Sequence, residues 1–361
     1  MALDDYAIVV GISSYPDISN LQGPENDAKH FYEWLVAADG GKLPQDQAKL
    51  IRSSDYPAAT DREDAKPIIE DINKAFEGLI EQGMKNHGKT GRRLYIFLAG
   101  HGLSPSLEES ALLMANASQL FMGYHLPGHF YAQWFVASAF FDEVVLFMDC
   151  CRDTYLNVPM YTPPWTPVQT VDAANVNKFY GLATKWSHKS REQDIDGETQ
   201  GLFTWSLLKA LRGAAPDEQG RVTGTVLKSA VYRFLQSQLT GTEYQEPDFE
   251  DNDDFVFVEG LPLPLTTVQI TFGQLDQDAL VTLADGSLKP LGQHLPKDGP
   301  WEVQLQPGFY QLSVPSLNQG LIFEVMGKNT ITLHGQSQLL TVQVKDEAVQ
   351  APAGKEAANA K

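Results

Sequence analysis

Two cysteines stand side by side at 150 and 151, and His101, between Gly100 and Gly102, lies 50 residues before the second of them. A thiol within reach of an imidazole is the pairing that nucleophilic catalysis needs. A free thiol titrates near pH 8.5, so only a few per cent is thiolate at neutral pH. An imidazole that takes the proton creates the nucleophile and later returns the proton to a leaving group. The bland alternatives are a buried packing cysteine and a half-buried, satisfied histidine. Glycines on both sides of His101 weigh against the second, because they let other backbone approach closely. Charged residues crowd the cysteines: Asp149 precedes the pair, and Arg152 and Asp153 follow it.

These groups need rigid carriers. Residues 144–148 (VVLFM) form an unbroken apolar run, too short for a helix and rich in β-branched and aromatic side chains. Residues 94–98 (LYIFL) form a second. Both read as strands of a parallel sheet covered on its two faces. One ends in Asp149-Cys150-Cys151 and the other in Gly100-His101-Gly102. Ligands of open α/β sheets bind at the carboxyl ends of the strands, so the topology delivers Cys and His to one edge. Successive strand residues point to opposite faces, so Cys150 and Cys151 cannot both face His101.

The rest of the chain supplies the scaffold. Residues 6–12 (YAIVVGI) make a buried first strand, and Pro24, Glu25 and Asp27 mark a helix start. A short strand is expected at 48–51, an amphipathic helix over 61–82, a strand or hairpin at 111–115 and an apolar helix over 128–141. Residues 154–177 dissolve into proline, threonine and tyrosine, a long loop of the kind that tends to be functional. A strand at 179–184, helices at 202–211 and 222–239, and a last short strand at 255–258 complete an α/β domain over 1–260. The acidic run 243–254 reads as a solvated loop; it lacks the spacing of an EF-hand, although a Ca²⁺ site there is the one cofactor the sequence suggests. A proline-stiffened linker at 261–266 leads to short alternating strands at 268–272, 301–305, 310–314, 330–333 and 339–344, punctuated by turns such as Asp285-Gly286 and Pro307-Gly308. That texture predicts a small β-sandwich over 267–346, followed by a disordered tail over 347–361. No internal repeat is present.

Composition narrows the class. A net charge of −19 makes a nucleic-acid backbone an unlikely partner and suits cationic substrates. Two adjacent cysteines give no disulfide framework, which fits a reducing compartment. No signal peptide and no transmembrane run precede or interrupt the first strand, so a cytoplasmic protein without membrane contact is expected.

The segments YAIVVGISSY (6–15), NDA (26–28), FLAGHG (97–102), FMDCCRD (147–153) and GLFTWSLLKAL (201–211) resemble the caspase-like (clan CD) cysteine peptidases, in particular metacaspases and bacterial caspase-like proteases. The 50-residue spacing of His and Cys is a recognised caspase signature and not an independent result. The resemblance covers 6 to about 258, roughly 70% of the chain. Caspases place Gln-Ala before the nucleophile and Gly two residues after it, where this chain has Asp149, Cys150 and Asp153.

The resemblance implies a mostly parallel six-stranded sheet flanked by helices. It implies a cysteine endopeptidase with Cys151 as nucleophile, Cys150 as a packing residue (a vicinal disulfide being the alternative), His101 as base, and the backbone N–H groups of Cys151 and Gly102 as oxyanion donors. Metacaspases use two Asp residues in the primary specificity pocket and cut after Arg or Lys; Asp149 and Asp27 stand at the matching positions. Helix capping by Asp27 and a plain acceptor role for Asp149 are the competing readings. Two carboxylates in one pocket repel each other unless a cation arrives, and a guanidinium meets them with a fork of donors. The expected partners are protein or peptide substrates with Arg or Lys before the cleaved bond, together with an activating protein or upstream protease. The setting the resemblance implies is bacterial defence or regulated cell death. The contrasting function is a catalytically silent scaffold whose β-domain binds other proteins. Apart from the Ca²⁺ alternative at 243–254, no resident metal is expected.

Overall fold

The computed structural model describes residues 4–344 except 156–157, 167, 169, 214–215, 218, 240–241, 253–254, 262–264, 287, 307, 318, 326–330, 335–336 and 338. It divides into two units, 1–261 and 262–361. The tail expected over 347–361 lies outside the described residues, as do Pro307 and part of the linker.

In the first unit, β1 (Asp5–Gly11) leads to α1 (Pro24–Val36) and β2 (Ala48–Arg52). Helix α2 (Ile69–Lys85) precedes β3 (Gly91–Gly100), which continues into β4 (Gly102–Ser104), β5 (Ala111–Leu113) and β6 (His125–Pro127). Helix α3 (Gly128–Ser138) feeds β7 (Phe141–Cys150), followed by β8 (Asp153–Thr154) and β9 (Asn177–Leu182). A hairpin of β10 (Glu192–Ile195) and β11 (Glu198–Gly201) opens into α4 (Leu202–Leu211). After β12 (Val222–Thr223) come α5 (Gly224–Gln238), β13 (Asp248–Asp251) and β14 (Val256–Val258).

The main sheet has six strands in the order β13-β9-β7-β3-β1-β2. All neighbours run parallel except β13, which is antiparallel to β9. Strict alternation splits its side chains between two cores. Ile8, Leu94, Ile96, Val144 and Leu146 face α2 and α3, whereas Val9, Tyr95, Phe97, Val145 and Phe147 face α1, α4 and α5. This is why the central strands read as continuous apolar runs: both faces are covered.

Four expectations need correction. Helix α2 starts at Ile69, not at 61, because Pro67 supplies no N–H and drives its predecessor out of helical geometry; Asp71 then accepts from the Ile68 N–H at 3.0 Å. The helix expected from 222 begins at Gly224, since Val222 and Thr223 pair with β14 and the Thr223 hydroxyl caps Val226 N–H at 3.3 Å. The acidic run is not simply a solvated loop. Its centre is β13, the sixth strand, and the short strand read at 255–258 pairs instead with β12 outside the main sheet. Five acids of the run meet basic partners: Glu243–Arg191, Glu246–Lys185, Asp248–Arg152, Glu250–Lys178 and Asp251–Lys228. Among the described residues no group of three His, Cys, Asp or Glu side chains is arranged to hold a metal ion, and no helix is long and apolar enough to cross a membrane.

The long loop after β8 is tied down by Trp165, whose ring packs 5.5 Å from Trp134 and 5.9 Å from Phe76, between centroids.

The second unit contains β15 (Thr266–Phe272), β16 (Val281–Asp285), β17 (Pro290–His294), β18 (Trp301–Leu305), β19 (Gly308–Val314), β20 (Gln319–Val325), β21 (Ile331–His334) and β22 (Leu340–Val344). A three-stranded sheet, β18-β15-β22, and a five-stranded sheet, β17-β16-β19-β20-β21, share one core of residues such as Val268, Ile270, Leu283, Leu312, Phe323 and Val342. It is a β-sandwich, with three strands (β16, β17 and β20) more than the sequence pattern marked.

Candidate active site

Strands β3 and β7 are adjacent and parallel, with Gly100 in register with Cys150. The next residue on each is His101 on one and Cys151 on the other, so the sheet brings both backbones to one edge. Cys150 continues the inward alternation of Leu146 and Met148: it is 2% exposed, and its thiol donates to the Leu98 carbonyl at 3.6 Å. Cys151 is half-buried and reaches the surface. Gly102 sits so close to this corner that a Cβ there would lie 2.5 Å from both Cys150 Cβ and the Cys151 carbonyl oxygen. No other residue fits.

The imidazole is held from behind. Tyr15 packs against the ring edge-on, 4.9 Å between centroids, and its hydroxyl accepts from the His101 backbone N–H at 3.1 Å. His101 Nε2 lies 2.7 Å from the Ser19 carbonyl oxygen. A carbonyl only accepts, so Nε2 carries the proton and Nδ1 is left as the base. A backbone carbonyl therefore orients the imidazole, while Asn26 bonds to the Thr199 carbonyl and Asp149 to Ser190 and Thr204.

Cys151 and His101 do not hydrogen-bond to each other in this state. The Cys151 thiol donates to the Ser190 carbonyl at 3.7 Å. Burial pushes that thiol up to about 11, and burial also lowers the His101 imidazole below its usual range. Both groups are neutral at pH 7. The resting arrangement is a thiol and an imidazole.

Beside Cys151, on the α1/α4 face, two carboxylates converge. Asp149 is 6% exposed; Oδ1 accepts from the Ser190 hydroxyl at 2.6 Å, and Oδ2 accepts from Thr204 N–H at 3.0 Å and its hydroxyl at 2.7 Å. Asp27, 2% exposed, does not cap its own helix. Both its oxygens accept from Gly201 N–H, at 3.0 Å each. Gly201 is the floor they share: a Cβ there would clash with Asp149 Oδ2 and lie 2.8 Å from Asp27 Oδ2. Burial raises both carboxyls, and the Asp149 charge raises Asp27 further. The exposed Glu192 on β10 adds to this field; burial of its carboxyl and the Asp149 charge both raise it. Among the described residues none of these three acids has a Lys or Arg partner.

Gly201, Ser190, Thr204, Ser19 and Tyr15 therefore belong to the site although the sequence did not single them out. Tyr15, Gly201 and Thr204 do fall inside two of the segments that carried the family resemblance. Gln245, fully buried, braces the loop by donating to the Ala183 carbonyl at 3.0 Å and accepting from Arg191 N–H at 3.0 Å.

Comparison with known proteins finds similarity at three levels. The model of the caspase domain family matches residues 4–252. A probable protease of a Desulfuromonadales bacterium is 28% identical over 225 residues, which is 58% of this chain but 26% of the relative, so the match spans about a quarter of that protein. Among solved structures, caspase-1 from Spodoptera frugiperda superposes with a TM-score of 0.46 at 13% identity, over 69% of this chain and 86% of that one. Pro-sf-caspase-1 gives 0.40 at 13% identity, over 69% and 91%.

Proposed function

The chain belongs to the caspase-domain peptidase family, and from that premise we propose that it is a cysteine endopeptidase cutting proteins after Arg, or Lys, through Cys151 and His101. The observation that carries the specificity is the pair of buried, unpaired carboxylates of Asp27 and Asp149 on the Gly201 backbone, one residue position from the nucleophile strand's end. Two desolvated like charges are costly to hold side by side. An arginine side chain entering between them relieves the repulsion and donates to both from its fork of N–H groups.

With the side chain so anchored, the scissile carbonyl lies over Cys151. His101 Nδ1 takes the thiol proton, and the sulfur attacks the carbonyl carbon. The oxyanion that forms is received by the N–H groups of Cys151 and Gly102; one such donor is worth about 2.7–4 kcal/mol at the transition state. His101 then protonates the departing amine, leaving a thioester that water, deprotonated by the same imidazole, hydrolyses. The free thiols suit a reducing compartment, and we assign the protein to the cytoplasm on that ground.

Fluorogenic peptides ending in Arg, Lys or Asp test the reading, with Cys151→Ala as the blank. Turnover of the Arg and Lys peptides is expected. Preference for Asp would overturn the specificity, and cleavage of none would overturn the peptidase.

The same specificity bears on maturation. Residues 153–177, between the nucleophile strand and β9, contain no Lys and no Arg; the first basic residue is Lys178. Trp165 also pins this segment to the α2/α3 core. Active wild-type enzyme is therefore expected to keep 153–177 intact and to act as a whole chain, or to be switched on by a partner or another protease. Intact-mass analysis beside Cys151→Ala checks this: a nick within 153–177 in wild type alone defeats it.

A further inference from the structure

Behind the nucleophile, at the open edge of the main sheet, lies a second cavity that the proposed chemistry does not use. It measures about 150 Å³, room for about five waters. Its walls come from the loop after β4 (Glu108), the start of α3 (His129), the residue after the nucleophile (Arg152), β9 (Tyr180) and β13 (Asp248 and Glu250).

Two features of these walls ask for a ligand. The first is a buried polar atom left without a hydrogen-bond partner, the hydroxyl of Tyr180, a residue 1% exposed. An unmet buried polar group is costly and rare enough to need a reason. The Tyr180 and His129 rings meet edge to face, 5.4 Å between centroids, and both residues line the cavity.

The second feature is the sign of the field. Glu108, Asp248 and Glu250 line the cavity with Arg152, and the Lys178 ammonium stands over the Tyr180 ring, 5.5 Å from its centroid. Asp248 is paired with Arg152 at 2.8 Å and Glu250 with Lys178, while Glu108 has no basic partner among the described residues. The fully buried Glu109 carboxylate stands 3.5 Å behind His129 Nδ1. Its own oxygens are taken up by the N–H groups of Ser110, His129 and Phe130, so it is a fixed negative charge and not a free acceptor. Burial, then the charges of Glu250 and Glu109, raise the Tyr180 phenol, which keeps it a neutral hydroxyl.

We infer that this cavity binds an organic cation, an ammonium or guanidinium group on a short aliphatic chain. Its N–H groups would donate to Tyr180 Oη and to the Glu108 and Asp248 carboxylates. The aliphatic part would lie on Leu107 and Leu182, which also line the space. The site is separate from the Asp27/Asp149 pocket. It touches the nucleophile only through Arg152, whose guanidinium reaches Asp248 and the Leu107 carbonyl, at 3.0 Å, while its backbone N–H donates to the His188 carbonyl at 2.9 Å.

Two probes separate a free cation from a protein side chain: butylguanidinium chloride, and N-acetylarginine methylamide, which carries the same group on a peptide backbone. Each is titrated calorimetrically into the full-length Cys151→Ala protein and into the same protein bearing Glu108→Gln, Tyr180→Phe or Asp149→Asn. Glu108 is exposed and Tyr180→Phe removes one oxygen, so both variants are expected to fold. Butylguanidinium should fill two sites. Glu108→Gln and Tyr180→Phe should each weaken one of them about tenfold, the scale of a hydrogen bond to a charged group, and leave the other. Asp149→Asn should remove only that other one. Binding of both probes at the cavity means that a protein side chain can enter; binding of butylguanidinium alone means a free small cation. A single site in the parent protein, abolished by Asp149→Asn, overturns the inference and leaves the proposed specificity standing. A second site insensitive to both Glu108→Gln and Tyr180→Phe overturns it too. Two sites, neither altered by Asp149→Asn, would instead count against the specificity pocket.

Discussion

Replacing Cys151 by alanine will abolish cleavage of Arg peptides, by on the order of 10⁴-fold or more, because no other group at the sheet edge forms the acyl-enzyme. His101→Ala should cost about 10²- to 10⁴-fold, the usual worth of a positioned general base. Cys150→Ala should cost little activity. Its thiol is buried in the core beside Met148, and removing it costs about 1 kcal/mol of stability, as other small core truncations do. The reverse ranking of the two cysteine variants would reassign the nucleophile. Thiol titration gives an independent check. A Cys151 thiol pushed up to about 11 is about one part in 10⁴ thiolate at pH 7, so alkylation by iodoacetamide should be slow there and rise about tenfold per pH unit until it levels off. A plateau already reached at pH 7 would mean that the resting site holds a thiolate.

The second large effect is on substrate choice. Asp149→Ala and Asp27→Ala should each lower kcat/KM for Arg peptides by about 2–5 kcal/mol of transition-state binding, while alkylation of Cys151 changes little. Gly201→Ala should do the same without removing a charge, since its methyl would occupy the space between the carboxylates. The pH dependence has a definite sign. Both carboxyls are raised in the folded chain, so the folded state binds more protons than the unfolded state above the ordinary carboxylate range near 3.9. Their contribution to stability is greatest below that value and declines as pH rises towards the folded values. An arginine side chain that needs both groups ionised expels the proton they retain, so its affinity should grow with pH over the same window. Affinity of an arginine-mimicking inhibitor that is flat with pH, or full activity of both Asp variants on Arg peptides, would sink the pocket.

How far the sequence could be read depended on how each segment meets solvent. Residues 94–98 and 144–148 were legible as strands because both faces of β3 and β7 are covered, which leaves an apolar run with no interruption. Strand β13 was not legible, because an edge strand tolerates charge. Asp248, Glu250 and Asp251 find Arg152, Lys178 and Lys228, and a run of acids looks like a loop. In the sandwich, β17 carries Pro290 and Gly292 along an exposed edge, so its pattern was equally weak. Strand β20 went unmarked although Leu321, Phe323 and Val325 alternate inward with the period of a half-buried strand. At the site, Cys151, His101, Asp27 and Asp149 could be named in advance because they stand in recognisable segments. Their partners could not. Ser19 holds His101 through a carbonyl across 82 positions, and Gly201 meets Asp27 through an N–H across 174. Backbone groups carry no residue signature, so only the folded chain reveals who makes these bonds.

The pairing of Gly100 with Cys150 also makes the two neighbouring thiols a gauge of strand alignment. A slip of β7 by one residue would send every side chain of that strand to the opposite core, exchanging the buried cysteine with the accessible one. Sulfur would still be present at the sheet edge, but it would belong to the wrong residue, with Asp149 turned away from Asp27 and Thr204. In a preparation of this protein, the ratio of label at 151 to label at 150 after brief alkylation under native conditions thus counts correctly threaded molecules directly, without any substrate.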